Sequence, residues 1–321
     1  MSSLNTPVVF IIFNRPELTQ IVFSAISQAQ PKQLFIIADG ARFPEEMEKC
    51  QKARDIIKQV NWDCEVLTNF SDINMGCGVR ISSGLDWVFS QVEEAIILED
   101  DCLPTPSFFT FCHELLQKYK YDERIMHISA NNFQDGYSRS QYSYYFSKYN
   151  NSWGWASWKR AWKYFNFEMN GWQEFKDAGM MKFICDNEYE EKYWTDIFQR
   201  MWSEQPGDIW DYMWTYACWS QSGLSIIPEV NLVSNIGFGA DATHTNGDSK
   251  FANLSRHEID KIYHPHFVVK HKEADMYTFD YVFGGKAMKE SDTIYSKVRK
   301  QGSNAKQYLK NQFRVIFHDH P

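Results

Sequence analysis

The sequence lacks both common glycine-rich signatures of nucleotide-binding folds. No G-x-G-x-x-G follows the first apolar segment, and no G-x-x-x-x-G-K-[ST] occurs anywhere in the 321 residues. Such loops let the backbone approach a bound phosphate closely. Their absence gives poor support to a dinucleotide-binding fold and to a P-loop NTPase.

Paired cysteines and long apolar segments are also missing. No C-x-x-C pair occurs, and the seven cysteines are an odd, scattered set: Cys50, Cys64, Cys77, Cys102, Cys112, Cys185 and Cys218. This pattern favours reduced thiols over a disulfide framework or a zinc knuckle. The first residues, MSSLNTP, do not resemble a signal peptide, and the apolar segment 8–13 is too short to span a bilayer. We therefore expect a cytoplasmic protein, either soluble or peripheral at a membrane.

An excess of basic charge is absent as well. The chain has 33 Lys and Arg against 41 Asp and Glu, a net charge of −8, which argues against broad nucleic-acid binding. Aromatic residues are abundant, with twelve Trp and seventeen Tyr. That number exceeds what a core needs, and aromatic-rich surfaces often bind sugars, bases or lipid.

The first 130 residues alternate between two kinds of segment. Continuous apolar composition predicts buried strands at 7–13, 33–40, 64–70 and 95–101, and helical spacing predicts helices at 14–28, 45–60 and 78–92. This alternation predicts an α/β fold with a mostly parallel sheet and flanking helices. Ligands of such sheets bind beyond the carboxyl ends of the strands.

Three acids directly follow the fourth predicted strand, in AIILEDDCLP (95–104): Glu99, Asp100 and Asp101. Crowded carboxylates raise one another's pKa unless a positive charge lies between them. One interpretation is a turn with its acids in water. The other is a divalent cation held by one or two of these carboxylates. The place of the acids at a predicted ligand-binding edge favours the cation.

Several segments resemble the nucleotide-sugar half of a GT-A glycosyltransferase, in particular the N-acetylglucosaminyltransferase I group and its bacterial family 2-like relatives. The segments are PVVFIIFNRPELT, ADG, NMGCGVRISSGLDWVF and AIILEDDCLPTPSFFTF, with looser matches at WGWASWKRAW, IWDYMW and IIPEVNLVSNIG. The resemblance implies a GT-A, Rossmann-like fold. It covers most of residues 7 to 245. We predict a nucleotide-sugar-binding half at 1–130, an acceptor-binding and catalytic half of the same domain at 131–275, and a basic helical tail at 276–321.

The resemblance also implies roles for residues of the donor site. Asp101 would bind Mn²⁺ or Mg²⁺, while Glu99 and Asp100 would face the sugar and the ribose. Arg80 would approach the diphosphate. The residues around the nucleotide base would be Asn14, Arg15 and Asp39.

Transfer to an acceptor hydroxyl needs a base that takes its proton. The resemblance places this role on Asp211, although the family pattern has two acids there and this chain has one; Asp208 and Asp241 are alternatives. One base and no evident nucleophile would give a single displacement with inversion. His244, in the polar loop 239–248, is a second metal ligand, a diphosphate contact or a surface histidine.

Three further features each have two interpretations. His264 and His266 are metal ligands or simply lie on one face of a strand. The tryptophans of 153–158 are core residues at a helix start or a wall that stacks on a sugar. The segment 286–314 has eight Lys or Arg against two acids, so it is a tail on an anionic membrane surface or a solvated final helix.

Together these features predict a metal-dependent inverting glycosyltransferase for polysaccharide biosynthesis. It would move a sugar from a nucleotide-diphosphate donor, UDP-linked by the resemblance, to a glycan or lipid-linked glycan. Two alternatives stay open. A sugar-1-phosphate nucleotidylyltransferase would want a glycine-rich basic loop after the first strand, where this chain has FNRPEL. A non-catalytic carbohydrate-binding protein would bind sugar without metal or nucleotide.

Overall fold

A mixed eight-stranded sheet forms the centre of the fold, which a computed structural model describes for residues 3–238 and 250–292. The strands are β1 (Val8–Ile12), β2 (Gln33–Ala38), β3 (Glu65–Phe70), β4 (Glu94–Glu99), β5 (Cys102–Pro104), β6 (Ile125–Ser129), β7 (Tyr144–Ser147), β8 (Trp155–Trp158), β9 (Leu224–Pro228) and β10 (Val233–Asn235). The order in the sheet is β3-β2-β1-β4-β8-β6-β9-β7, and β10 pairs with β5 in a separate small sheet.

Helices connect the strands. They are α1 (Pro16–Ala29), α2 (Met47–Asp55), α3 (Cys77–Gln91), α4 (Pro106–Lys118), α5 (Lys159–Trp162), α6 (Trp172–Asp177), α7 (Met181–Ile184), α8 (Glu188–Glu204), α9 (Asp211–Ser220) and α10 (Lys272–Tyr281). Short 3₁₀ helices flank α2. In the ranges that the structure covers, none of the helices has the length and apolar character needed to cross a membrane.

The first four strands form the parallel part of the sheet. β1 pairs in parallel with β2 and β4, and β2 pairs in parallel with β3. Every residue of β1 is buried, because helices cover both faces of a parallel sheet, and this explains the continuous apolar segments of the sequence. The predicted α/β, Rossmann-like fold class with a mostly parallel sheet and flanking helices is confirmed.

The remaining strands are less regular than the sequence pattern of the first half would suggest. β8 is antiparallel to β4 and β6, and β7 is antiparallel to β9. Trp155 and Trp158 are fully buried, which confirms the core interpretation for these two, although they lie in a strand that leads into α5. Trp155 stacks on Trp210 at a centroid distance of 5.5 Å. Many of the aromatic residues therefore pack in the interior of the protein, in a hydrophobic cluster that includes Trp155 and Trp210.

The sheet takes strands from both predicted halves, 1–130 and 131–275, and the division of labour between the halves stays a prediction. All seven cysteines are free thiols, as their scattered spacing predicts. Most of the basic tail, from residue 293 onward, lies outside the described residues.

Candidate functional site

A cavity of about 490 Å³ opens at the carboxyl ends of β1, β2 and β4. These strands run in parallel, so the residues that follow them meet at one edge of the sheet. Six of the seven residues that the resemblance placed in the donor site line the cavity: Arg15, Asp39, Arg80, Glu99, Asp100 and Asp101.

Arg15 lies directly on the acidic cluster. Its Nη1 is 3.0 Å from Asp101 Oδ2, and its Nη2 contacts Asp100 Oδ1. The other oxygen of Asp100 accepts a hydrogen bond of 3.3 Å from the Phe13 backbone N–H. The positive charge that the crowded acids require is thus supplied, in this structure, by an arginine that follows β1.

One arginine does not neutralise three acids. Burial, together with the charges of Asp101 and Asp100, raises the pKa of Glu99 to about 8. Burial also raises the pKa of Asp100 to about 6, although the Arg15 charge opposes this shift. A further positive charge would favour the ionised forms of both. The cluster therefore suits one additional cation.

The chemistry of the donor set fits a hard divalent cation that is held partly by its ligand. Mg²⁺ and Mn²⁺ are often bound by one or two carboxylates, with phosphate and water completing the shell. The acids at 99–101 offer oxygen donors of this kind. Across residues 3–238 and 250–292, no group of three or more His, Cys, Asp or Glu side chains could hold a metal by itself. His244 and Asp241 fall outside these ranges.

Asp39 fixes the loop that leads into α3. Its Oδ1 accepts hydrogen bonds of 2.9 Å from the backbone N–H groups of Gly40 and Met75. Its Oδ2 accepts from the Asn74 side chain at 3.0 Å and from the Gly76 N–H at 3.1 Å. Gly76 has a φ of 84°, a conformation that favours glycine. The Asp39 carboxylate therefore shapes the cavity wall through this loop.

Two other predicted residues have protein partners of their own. Arg80 donates from Nε to the Ala38 carbonyl at 3.1 Å and from Nη2 to Asn69 Oδ1 at 2.8 Å. Burial lowers the pKa of Arg80, and its bonds tie β2 to β3 beside the cavity. Asn14 donates to Glu46 Oε1 at 2.9 Å. Asn14 is not a lining residue, but its partner Glu46 also pairs with Arg42, which lines the cavity.

A wall that we did not predict comes from β10. Asn235 pairs with Cys102, and the Ile236 N–H donates to the Asp101 carbonyl at 2.8 Å. A Cβ atom on Gly237 would lie 2.4 Å from Asp101 Oδ2, so only glycine permits this approach. This segment belongs to the loose match IIPEVNLVSNIG, which did not predict its place at the cavity. Long-range strand pairing places it there, and local sequence patterns do not reveal such pairing.

The tryptophan run of 153–158 divides between two environments. Trp155 and Trp158 are core residues, whereas Trp153 is only partly buried and lines the cavity. Its ring contacts those of Phe133 and Phe238 at 5.4 and 5.6 Å. The sugar-stacking interpretation thus stays open for Trp153 alone.

The candidate bases lie near the same cavity. Asp208 lines it. Asp211 begins α9, and its negative charge contributes to the raised pKa of Glu99. The Val79 N–H at the start of α3 donates to the Gly207 carbonyl at 3.1 Å. The segment that carries both acids is thereby held against the start of α3.

His264 and His266 lie elsewhere. His264 contacts the Tyr144 hydroxyl at 3.0 Å through Nδ1 and Glu114 at 2.8 Å through Nε2. The His266 ring contacts that of Tyr142. Neither histidine lines the cavity, and the structure favours their position beside a strand over metal ligation.

Comparisons with known proteins give fold-level similarity only. No protein-family model and no curated protein matches the chain. A UDP-glucose pyrophosphorylase complexed with UDP-glucose matches at 14% identity and a TM-score of 0.25, over 44% of this chain and 62% of that one. The similarity thus spans less than two thirds of the pyrophosphorylase.

Two further solved structures match at a TM-score of 0.31. HddC from Yersinia pseudotuberculosis, complexed with GMP-PN, has 7% identity over 48% of this chain and 78% of its own. A 4-diphosphocytidyl-2C-methyl-D-erythritol synthase from Anaerococcus prevotii DSM 20548 has 10% identity over 60% and 84%. Scores this low carry no functional argument. Fold and site define an α/β protein with an acid-lined cavity at the ends of its parallel strands.

Proposed function

We propose that this protein is a metal-dependent inverting glycosyltransferase that uses a nucleotide-diphosphate sugar. The observation that carries the proposal is the gathering of Arg15 and the acids Glu99, Asp100 and Asp101 in one cavity at the strand ends. Three acids cannot bind an anionic diphosphate directly. With a cation and an arginine among them, they can.

Exposure distinguishes the two aspartates. The Asp101 side chain is 15% exposed, whereas that of Asp100 is 3% exposed. We therefore assign Asp101 as the main ligand of Mn²⁺ or Mg²⁺, with Glu99 beside it. When bound, such a cation neutralises charge on the leaving diphosphate. Asp100 would instead hold Arg15, whose guanidinium is the second positive charge for the phosphates.

The loop fixed by Asp39 would form the nucleotide side of the cavity. Arg42 lines the cavity there and pairs with Glu46, which also accepts from Asn14. Asn14 and Asp39 would thus act by positioning the parts that contact base and ribose. Arg80 would hold β2 and β3 together beneath them.

Asp211 would take the proton of the acceptor hydroxyl, and Trp153 would shield the sugar from water. The acceptor we propose is a glycan or a lipid-linked glycan. One base acting from the acceptor side gives a single displacement, which inverts the anomeric centre.

The competing proposal is a sugar-1-phosphate nucleotidylyltransferase. Only residues 13–15 separate β1 from α1, and none of them is glycine. This turn offers little backbone for a nucleoside triphosphate, so the geometry favours the transferase. The two activities also release different products, a nucleoside diphosphate and pyrophosphate.

A panel of nucleotide sugars, tested with Mn²⁺ and with EDTA, separates these functions. A donor at a hundred times its dissociation constant adds about 2.7 kcal/mol of stability. We expect one donor to raise the melting temperature only with Mn²⁺, to release nucleoside diphosphate, and to lose both effects in Asp101→Asn. Asp72→Asn, an exposed acid outside the cluster, is the control. Pyrophosphate formation from a triphosphate and a sugar 1-phosphate, or no response to any donor, would refute the proposal.

A further inference from the structure

The first turn of α3 lies against the connection between α8 and α9, which spans residues 205–210. A Cβ atom on Gly78 would lie 2.5 Å from the carbonyl oxygen of Ile209 and 2.8 Å from its amide nitrogen. These are backbone atoms, which cannot rotate away as the end of a flexible side chain can. Only glycine at position 78 therefore allows the two main chains to approach this closely.

Backbone contacts at Gly207 hold the same approach. The Val79 N–H is one of the groups at a helix start that have no partner within the helix, and it donates to the Gly207 carbonyl at 3.1 Å. A Cβ atom on Gly76 would lie 3.0 Å from the same carbonyl oxygen. The connection therefore contacts the start of α3 at two points, Gly207 and Ile209.

The proposed cation site and the proposed base both act on this contact. Cys77 lies between Gly76 and Gly78 and lines the cavity. Burial raises the pKa of its thiol, and the charges of Glu99 and Asp211 raise it further. Glu99 belongs to the acids beside the proposed cation, whereas Asp211 begins α9. The start of α3 is therefore the place where the donor side of the cavity meets the segment that carries the base.

We propose that Gly78 is a positioning residue of the transfer reaction: by admitting Ile209, it sets how close the base lies to the donor. The inference rests on the proposed function and adds the means by which the site places its base. A methyl group at position 78 would push the Ile209 oxygen away by about 0.9 Å, the difference between 2.5 Å and an ordinary contact of 3.4 Å. Asp208 and Asp211 are one and two residues from Ile209, so either candidate base would be displaced.

The connection is the side that would move. Gln205, Gly207 and Asp208 are exposed, and exposed segments with few packing contacts are displaced at the lowest cost. Gly78 is instead buried in a helix of 15 residues, and the Asp39 carboxylate holds the loop before that helix. A substitution at position 78 should therefore move the base and leave the residues around the donor in place.

Gly78→Ala in the full chain tests the proposal. The probes are UDP-, GDP- and dTDP-linked sugars with Mn²⁺ and with water as the acceptor, and single-turnover release of nucleoside diphosphate is measured. We expect the rate to fall about 10²-fold, since a displacement of about 1 Å can cost this much. Affinity for the same donor, measured by calorimetry, should stay within about threefold of the wild type, because the base acts only in the transition state.

Gly84→Ala is the matched control. It adds the same methyl group to the same helix, where a Cβ atom would lie 2.7 Å from the Ile37 side chain and away from the connection. Overpacking there acts on stability, and the rate should stay within about threefold of the wild type. A glycine inserted between Gly207 and Asp208 displaces the bases without touching α3. It should lower the rate with donor affinity intact, and it serves as the test if Gly78→Ala does not fold.

A double variant shows whether the base is what moves. In Asp211→Asn the base is absent, so the addition of Gly78→Ala should lower the remaining rate by less than about threefold. If Asp208→Asn has the larger effect on the rate, the double variant is made with Asp208→Asn instead.

The inference is wrong if Gly78→Ala, or the insertion in its place, keeps the wild-type rate or loses donor affinity as far as it loses rate. It is also wrong if Gly84→Ala loses as much activity, or if the alanine at position 78 acts equally with and without the base. A wild type that releases no nucleoside diphosphate from any donor would refute the proposed function as well. With an active wild type, the other outcomes refute the inference alone.

Discussion

The guanidinium of Arg15 lies 3.0 Å from the carboxylate of Asp101 and contacts Asp100 at the same time. The arginine follows β1, whereas the aspartates follow β4. This one side chain therefore joins two neighbouring strands at their carboxyl ends. It also offsets the repulsion within the acidic cluster. Loss of Arg15 should therefore lower the stability of the protein more when the site is empty than when a cation and nucleotide are bound.

We expect Arg15→Met to lower the free energy of unfolding by about 2 kcal/mol in EDTA, because two buried or partly buried carboxylates lose their counter-charge. Mn²⁺ with a nucleoside diphosphate should restore part of this loss. Chemical denaturation under both conditions measures it. Arg124→Met removes an exposed ion pair with Asp122 and should change stability by less than about 0.5 kcal/mol. Equal stability of Arg15→Met and wild type in EDTA would contradict the prediction.

The pH dependence of the free energy of unfolding should reveal the ionisation of Glu99. Its pKa rises from 4.5 in the unfolded chain to about 8 in the fold, so the folded state binds the proton more tightly. This stabilisation is fully present below pH 4.5 and is lost as the pH rises through 8. Each such carboxyl gives a slope of about −1.4 kcal/mol per pH unit between its two pKa values.

Asp100 shares the lower part of that window, since burial raises its pKa to about 6. Burial lowers the pKa of His127 from 6.5 to about 4, a shift that acts below pH 6.5, so the range from pH 6.5 to 8 isolates Glu99. We expect Glu99→Gln to flatten the metal-free stability curve there, measured by urea unfolding at a series of pH values. Glu93→Gln, at an exposed position, should leave the slope as it is. An unchanged slope in Glu99→Gln would show that the glutamate titrates normally.

Asp39→Asn tests the loop before α3. An asparagine presents an NH₂ group to backbone N–H donors that now point at a carboxylate, so at least one hydrogen bond to Met75 or Gly76 is lost. We expect a loss of about 2 kcal/mol in stability and roughly tenfold weaker donor binding, measured by calorimetry. Asp72→Asn, an exposed acid in the same connection, should do neither. Stable protein with unchanged donor affinity would remove Asp39 from the site.

The candidate bases can be separated by kinetics. Asp211→Asn should lower kcat by 10²- to 10⁴-fold, the usual contribution of a general base, with little change in donor affinity. Asp208→Asn should have a much smaller effect on kcat. Single-turnover rates at saturating donor and acceptor measure both. If the larger loss follows Asp208→Asn, the assignments are exchanged, and if neither variant loses activity the base lies elsewhere.

The parts of this protein that the sequence predicted are those governed by local patterns. Continuous apolar segments locate β1 to β4, and the rule that ligands bind beyond parallel strands locates the cavity. The approach of Gly237 to Asp101 was not predictable, because it depends on a pairing between β5 and β10 across more than a hundred residues. We expected Arg15 beside a nucleotide base. Its contact with the acids was also not predictable, because that contact joins distant parts of the chain.

A buried ionic cluster outside the cavity should be important for stability. The Lys148 ammonium lies 2.9 Å from Asp186 and 2.8 Å from Glu190, and its side chain is only 4% exposed. Lys148→Met should destabilise the fold by about 3–5 kcal/mol, because removing one partner leaves uncompensated buried charge. Lys148→Met with Glu190→Gln should recover part of this loss, whereas Lys159→Met, at an exposed ion pair, should cost less than about 1 kcal/mol. Guanidinium unfolding measures all three. A loss below about 1 kcal/mol in Lys148→Met would show that water reaches the cluster and screens it.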